Sequence, residues 1–594
     1  MLTENFYNTY NARHLAPKEV AEKFIWSDSF GKLIQNNHSI ILGARGCGKT
    51  TLMKMLTIPA LHTWENDKRA ENIKRNIPFY GIYISTDIYW NVKNQAYGKQ
   101  LEAYSGFSDV VSRFAVNSNV FTSLCDTFLN IINIQLCDND EEKEVELCKY
   151  LIKAWKLDPV VPKIKFIKEA LNERIDYVNQ FIQEIIFNFS PVDKIDYPDF
   201  FNLNFESSLE QLIPKFERIY SIQDEKKWAL CFDELEFAPP WLQKQLFTSL
   251  RSRKEFILYK LSASPILASD LEKYLTQEYS ATPGNDVQLI KMWASGDTET
   301  FSLKIIKSFL DSEINLQSFF GSNPIYNGSS DSYTENSEFY KELLSLIGKD
   351  DSFKDFLESK GVNVSHPVPT SPEQKDRLYR KIKPIVYYRN ALIESNKRGK
   401  KLSLRSRKKV IDLFSGIEVL QKICDGNPRW LIGIIREIIS SSDNSENIEK
   451  IQYNELLKAA KRFMNVMANI PVDNNEITIV DFIDRIGNFY KHQVLGSDFV
   501  MDPKSTFVVD ESEVALPSNI INLLEIGLSQ GAFILLDSSD DRFDFEVRGQ
   551  RFKLSFLFSI LYILPLRKYN KVKLSDCLKM SGGDSDFNQF SLFE

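Results

Sequence analysis

The run SIILGARGCGKTTLMKML, from Ser39 to Leu56, leaves few folds open to this chain. A short apolar strand signal (Ile40, Ile41, Leu42) meets Gly43, Ala44, Arg45, Gly46, Cys47, Gly48, Lys49 and Thr50, and helix formers follow from Thr51. That is G-x-x-x-x-G-K-[ST] between a strand and a helix, where backbone N–H groups can wrap phosphate oxygens and the helix start adds partial positive charge. Lys49 is expected to reach the β- and γ-phosphates, and the Thr50 hydroxyl to ligate Mg²⁺. A glycine-rich turn without a ligand would not need every fixed position filled. The loop therefore predicts binding of a nucleoside triphosphate.

At 594 residues the chain is too long for one core, and its 43% hydrophobic and 26% charged content is that of a globular protein. A net charge of -7 excludes a surface that is basic throughout, so any nucleic-acid contact must come from local patches. The seven cysteines show no C-x-x-C spacing and suit a reducing compartment. The longest apolar run, Leu554 to Leu566, is too short to span a bilayer and reads as a buried helix. The expectation is a soluble, cytoplasmic protein with no membrane contact.

Ahead of the phosphate loop, Pro17, Val20, Ala21 and Phe24 have one-sided helical spacing. After it, Thr51–Leu61 continues the first helix, and FYGIYIS at 79–85 reads as a buried strand. The next core strand signal is Trp228–Phe232, roughly 140 residues on. Most of the interval, about 95–225, reads as a helical insertion. It carries one apolar stripe on Ile164, Ile167, Leu171, Ile175, Val178 and Ile182, and another on Leu209, Leu212, Ile213, Phe216, Ile219 and Tyr220. Packing of both stripes on the core is preferred over a partner-docking arm.

The Trp228–Phe232 strand runs straight into Asp233 and Glu234, the acidic pair that a phosphate site needs in its second half. Asp233 is expected in the Mg²⁺ shell and Glu234 as the base that deprotonates water, with Glu236 next in line. A helix (Trp241–Arg251) and a strand (Phe256–Leu261) follow. Ser262 or Ser264 is the candidate for positioning the water, a turn serine being the competing reading. Asp286–Trp293 offers a fifth strand. From about 297 the pattern turns helical, interrupted by a polar, loop-like stretch at 321–337. Val410–Cys424 reads as one helix, and Pro428 opens the next with Asn427 or Asp425 as its cap. Towards the C-terminus, helices precede a hairpin-like pair, Ala532–Leu536 and Phe543–Val547, which suggests a winged-helix-like module.

GARGCGKTT at 43–51, CFDELE at 231–236 and GNPRWLIGIIREI at 426–438, with NARHLAPKEVAEKF at 11–24, resemble the AAA+ ATPases of the origin-recognition and replication-licensing type and their bacterial relatives. The resemblance implies an α/β fold: a P-loop AAA+ parallel-sheet core over 1–295 carrying the helical insertion, a helical lid over 296–445, and a winged-helix-like domain over 446–594. It implies an ATP- and Mg²⁺-dependent ATPase switch in which Arg429 is the lid arginine that reaches the γ-phosphate. In bacteria such relatives look like parts of anti-phage defence. One departure concerns assembly. Members commonly place an arginine finger between the fourth and fifth strands, yet Pro265–Trp293 contains no arginine. Arg251 and Arg253 are the nearest substitutes, and ring-type oligomers are accordingly in question.

Basic runs at Lys397–Lys409 and at Arg548, Arg551, Lys553, Arg567, Lys568, Lys571 and Lys573 are candidates for DNA contact. The competing expectation is a nucleotide-dependent scaffold for a partner effector protein that does not bind DNA, favoured by the acidic balance and the acidic stretch Asp138–Glu146. The five histidines have no metal-site spacing, and kinase signatures are missing.

Overall fold

The computed structural model describes residues 11–579 apart from 92–104, 139, 159–160, 189–194, 252–255, 277–279, 294–297, 311–313, 329–332, 406–409, 443–446, 473–476, 511–517 and 537–541. Five apolar strand signals become five strands: β1 (His38–Leu42), β2 (Phe79–Ser85), β3 (Lys227–Asp233), β4 (Ile257–Ala263) and β5 (Val287–Lys291). They form one sheet in the order β2-β3-β4-β1-β5, and every pairing is parallel. Both faces of a parallel sheet are covered, which is why these segments read as continuous apolar runs. β4, buried along its whole length, separates β1 from β3. The loops leaving β1 and β3 therefore emerge at the carboxyl edge of the sheet on either side of the end of β4, the usual place for a ligand in such folds.

The first helix after the phosphate loop is shorter than its sequence suggests. It runs Lys49–Lys54, the chain turns at Met55–Thr57, and Ile58–Thr63 starts afresh with Pro59 in its first turn. The insertion supplies helices Ser105–Asn130, Glu141–Ala154, Ile164–Phe187 and Phe205–Ile219. Its second stripe is wholly buried against the apolar cluster that contains Trp228 and Phe232. The first stripe is buried too, except for Ile175 at 38% exposure. The second stripe and the start of the first (Ile164, Ile167, Leu171) thus join the core, whereas Val178 and Ile182 pack in a smaller cluster within the insertion, with Phe107, Phe114 and Phe201.

Beyond β5 the helices include Thr298–Ser308, Pro428–Ser442, Ile448–Ala468, Ile479–Leu495 and Ser518–Gln530. One contiguous apolar core extends from Ile305 to Cys577. The segment expected as one helix at 410–424 is broken into Val410–Leu413 and Ile417–Ile423. Gly416 between them has φ +95°, and a Cβ there would meet the Asn323 backbone N at 2.7 Å. Asn323 belongs to the polar stretch at 321–337, where it is buried and donates to the carbonyls of Asp412 and Ser415.

A short antiparallel pair, β6 (Ile393–Ser395) and β7 (Ser403–Leu404), precedes a four-stranded C-terminal sheet. That sheet consists of β8 (Lys504–Val508), β9 (Phe533–Leu535), β10 (Arg551–Leu554) and β11 (Asn570–Lys573), ordered β11-β8-β10-β9. The partner of β9 is thus Arg551–Leu554 and not Phe543–Val547. The alternation of Phe543, Asp544 and Phe545 has another cause. Both phenylalanines pack against the apolar cluster of the five-stranded part, while Asp544 is buried in an ion pair with Lys291 at the end of β5. The apolar run at 554–566 is interrupted as well, by Ile563 at φ +56° after a four-residue helix.

Candidate functional site

A cavity of about 800 Å³ opens at the carboxyl edge of the sheet. Its wall includes Ala44 through Thr51 of the phosphate loop, Glu234, Glu236, Ser264 and Arg429. Gly46 and Gly48 have φ of +85° and +102°, a region that side-chain-bearing residues avoid. At Gly46 a Cβ would also crowd Asn427 and Arg429, so glycine lets lid and loop close on each other. Gly43 is confined by its own neighbours: a Cβ there would meet Cys47 Sγ at 2.5 Å.

Lys49 is buried, and its Nζ donates to the Gly43 carbonyl at 2.5 Å and lies 3.5 Å from Glu236 Oε1. Burial alone would lower its pKa; the carboxylates around it, Glu236 first and then Asp233 and Glu234, outweigh that and hold it above the usual lysine value. Lys49 is therefore a firmly charged ammonium at the base of the cavity.

Asp233 ends β3, almost fully buried. Its Oδ1 accepts from Ser262 Oγ at 2.5 Å and from Glu234 N at 3.1 Å, and its Oδ2 accepts from Tyr83 Oη at 3.3 Å. Ser262 sits on β4 between the two loops, and its Oγ also accepts from Glu234 N at 2.9 Å. Its only proton is committed to Asp233, so Ser262 orients the acidic pair while Ser264 is the serine on the cavity wall. Glu234 itself has φ +57°, a left-handed conformation costly for a non-glycine residue. Burial and then Asp233 push its carboxyl above the usual glutamate range, with Arg13 acting the other way.

The donor set suits Mg²⁺. Thr50 supplies a hydroxyl at the cavity wall and Asp233 a carboxylate behind it, both hard oxygens, and Mg²⁺ commonly keeps waters that could bridge to the buried Asp233. Among the described residues no group of three His, Cys, Asp or Glu side chains could hold a metal alone, so phosphate oxygens would have to complete the shell.

Arg429 lies in the first turn of its helix, whose cap is Asn427: Asn427 Oδ1 accepts from Arg429 N at 3.1 Å. Asp425, the other cap candidate, has φ +53° and turns to the C-terminal part, where it pairs with buried Lys553 and accepts from Phe556 N at 2.7 Å. Arg429 Nη2 donates to Asn11 Oδ1 at 3.3 Å. Its guanidinium pKa is lowered by burial and then by Arg45, with Glu234 opposing.

Several contributors escape sequence reasoning because they are distant in the chain. Arg13 lies 3.6 Å from Glu234. Buried Lys54 donates to the carbonyls of Ala12 and Leu15, each at 2.7 Å. Arg45 N donates to the Ser529 carbonyl at 2.7 Å, so the phosphate loop touches the C-terminal part directly. Of the arginine-finger substitutes, Arg253 lies outside the described residues, and Arg251 is exposed and donates to the Ser280 carbonyl at 3.0 Å.

A family model described as ORC-CDC6-like matches residues 5–574, nearly the whole chain. The chain belongs to the ORC-CDC6-like family. No curated protein and no solved structure gives a significant match. Membership makes the chain a nucleotide-binding AAA+ protein, in agreement with the five-stranded parallel sheet of the fold. Among the described residues of this ORC-CDC6-like protein, no helix is long and apolar enough to cross a membrane.

Proposed function

We propose that this ORC-CDC6-like protein is an ATP-hydrolysing switch whose nucleotide state is read by its lid and its C-terminal part. The observation that carries the reading is convergence: the phosphate loop, Glu234 and Arg429 line one cavity although nearly 400 positions separate them in sequence. Lys49 binds the β- and γ-phosphates, Thr50 and Asp233 hold Mg²⁺, and Arg429 brings the lid to the γ-phosphate. When bound, Mg²⁺ neutralises phosphate charge. Ser262 fixes Asp233 and the Glu234 backbone, and Ser264 is available to orient water. Glu234, its pKa raised by burial, takes the proton of the attacking water.

The basic residues weigh on what the switch engages. Lys397 and Arg398 pair with Asp351 and Asp355, Lys573 with Asp510, and buried Lys553 with Asp425. Arg551 donates to Thr506 and the Tyr569 carbonyl, and Arg567 to the Arg380 carbonyl. These six cations serve the fold's own contacts, whereas Lys400, Arg405, Lys568 and Lys571 of the same runs are exposed and residues 406–409 lie outside the described residues, so DNA engagement and an interaction scaffold for an effector protein both stand as modes to be separated. Two assays test the reading. Lys49→Ala should abolish tight ATP binding, and wild-type affinity in that variant refutes the phosphate-site assignment. DNA affinity measured against salt concentration separates the two modes of engagement, because phosphate contacts give a steep negative slope and a scaffold gives none.

A further inference from the structure

The segment Asn11–Leu15 lies along the wall of the nucleotide cavity, to which Asn11, Ala12, Arg13 and Leu15 all contribute. It is tied down from beneath. Lys54, only 6% exposed, donates to three of its carbonyls: Ala12 at 2.7 Å, Arg13 at 3.2 Å and Leu15 at 2.7 Å. From above, the lid residue Arg429 donates to Asn11 Oδ1. A buried ammonium spent on three backbone oxygens fixes where the intervening side chain starts. That side chain is Arg13, whose Nη1 lies 3.6 Å from Glu234 Oε2.

We propose that Arg13 is a γ-phosphate sensor acting within its own chain. Without a terminal phosphate it pairs with Glu234; with ATP bound it transfers to the γ-phosphate and releases the Glu234 carboxylate to accept a proton from water. The inference rests on the reading of Glu234 as the general base. In the step so enabled, a bond forms from the water oxygen to the γ-phosphorus and the bond to the β,γ-bridging oxygen breaks. Glu234 takes the water's proton and returns it to the released phosphate.

Relative strengths favour the exchange. The side chains of Arg13 and Glu234 are 41% and 20% exposed, and such partly exposed ion pairs contribute little. An arginine on a phosphate can make two parallel charge-assisted bonds, which are among the strongest available.

The test compares ATP, a non-hydrolysable ATP analogue and ADP on the full chain carrying Arg13→Ala or Arg13→Lys. Losing one charge-assisted contact to the γ-phosphate should weaken the ATP analogue roughly tenfold or more. ADP affinity should change by less than about twofold, because ADP lacks the group that is sensed. Arg13→Lys should restore part of the difference. An unchanged ratio of analogue to ADP affinity in Arg13→Ala overturns the proposal. Glu234→Gln separates this inference from the reading beneath it. With its partner neutral, Arg13 is freed in advance, so Glu234→Gln should bind the ATP analogue more tightly than wild type, and tightening that persists in Glu234→Gln/Arg13→Ala refutes the exchange. Normal turnover in Glu234→Gln overturns the base assignment, whatever the Arg13 variants show.

Discussion

Replacing Lys291 by methionine removes one half of a buried ion pair that joins the end of β5 to the C-terminal part. Lys291 Nζ lies 2.9 Å from Asp544 Oδ2, and the two side chains are 0% and 1% exposed. Removing one partner of such a pair costs about 3–5 kcal/mol, because the other charge stays buried without compensation. Here Arg542 Nε remains 3.3 Å from Asp544 Oδ1 and Gln550 Nε2 donates to the same oxygen, so the low end, about 3 kcal/mol, is expected. At about 1.4 kcal/mol per tenfold, opening of this docking should become roughly a hundredfold more frequent. The Leu267 amide reports it directly, since its N–H donates to the Asp544 carbonyl at 3.0 Å. Native-state hydrogen exchange at Leu267 should accelerate by that factor in Lys291→Met, and the Arg45 amide, held by the Ser529 carbonyl, should follow. Lys291→Met/Asp544→Leu should recover most of the protection, as apolar replacement of both partners is often neutral. Unchanged exchange in the single variant, or a double variant as open as the single, refutes the argument that this pair holds the two parts together.

Two further outcomes are expected. Arg429→Ala should slow turnover and reduce ATP-dependent protection of the lid from protease, while nucleotide-free stability stays within about 1 kcal/mol of wild type, since the hydrogen bond its side chain gives up, to Asn11 Oδ1, is long at 3.3 Å. His38 is pushed down to about 4 by burial and by Lys260 and Lys227, with Asp286 opposing, and its Nδ1 accepts from Tyr259 N. A histidine whose pKa is lowered on folding contributes its full stability above pH 6.5 and loses it as pH falls towards 4, here by up to about 3 kcal/mol. Denaturation measured across that interval should show the loss, and His38→Asn, which keeps an acceptor that does not titrate, should flatten it.

What the sequence carries and what it hides differ by the range of the interaction. β2 runs over the predicted 79–85, because a strand buried on both faces writes a continuous apolar run, and the acidic pair falls where the strand signal ends, with Asp233 closing β3 and Glu234 next in the chain. The same local logic fails at 543–547, where alternating phenylalanine and acid mimics a strand; the acid is buried against Lys291, more than 250 positions away. Pro59 carried a boundary signal that the expected helix at 51–61 overlooked. Arg13 and Lys54 sit in stretches the sequence singles out, 11–24 and 39–56, but nothing local marks what either side chain touches. Their roles arise only when the N-terminal segment folds back across the helix that follows the phosphate loop, and an isolated arginine in a polar stretch looks like any solvated cation.

Glu234→Gln asks whether the phosphate loop and a general base of one chain act on the same nucleotide. Gln keeps the shape of the side chain and loses its ability to take a proton. Nucleotide affinity and single-turnover hydrolysis should be measured together on this variant and on wild type. Retained ATP binding, with hydrolysis slowed by roughly a hundredfold or more, is the predicted result. Hydrolysis at the wild-type rate with normal binding would contradict the account.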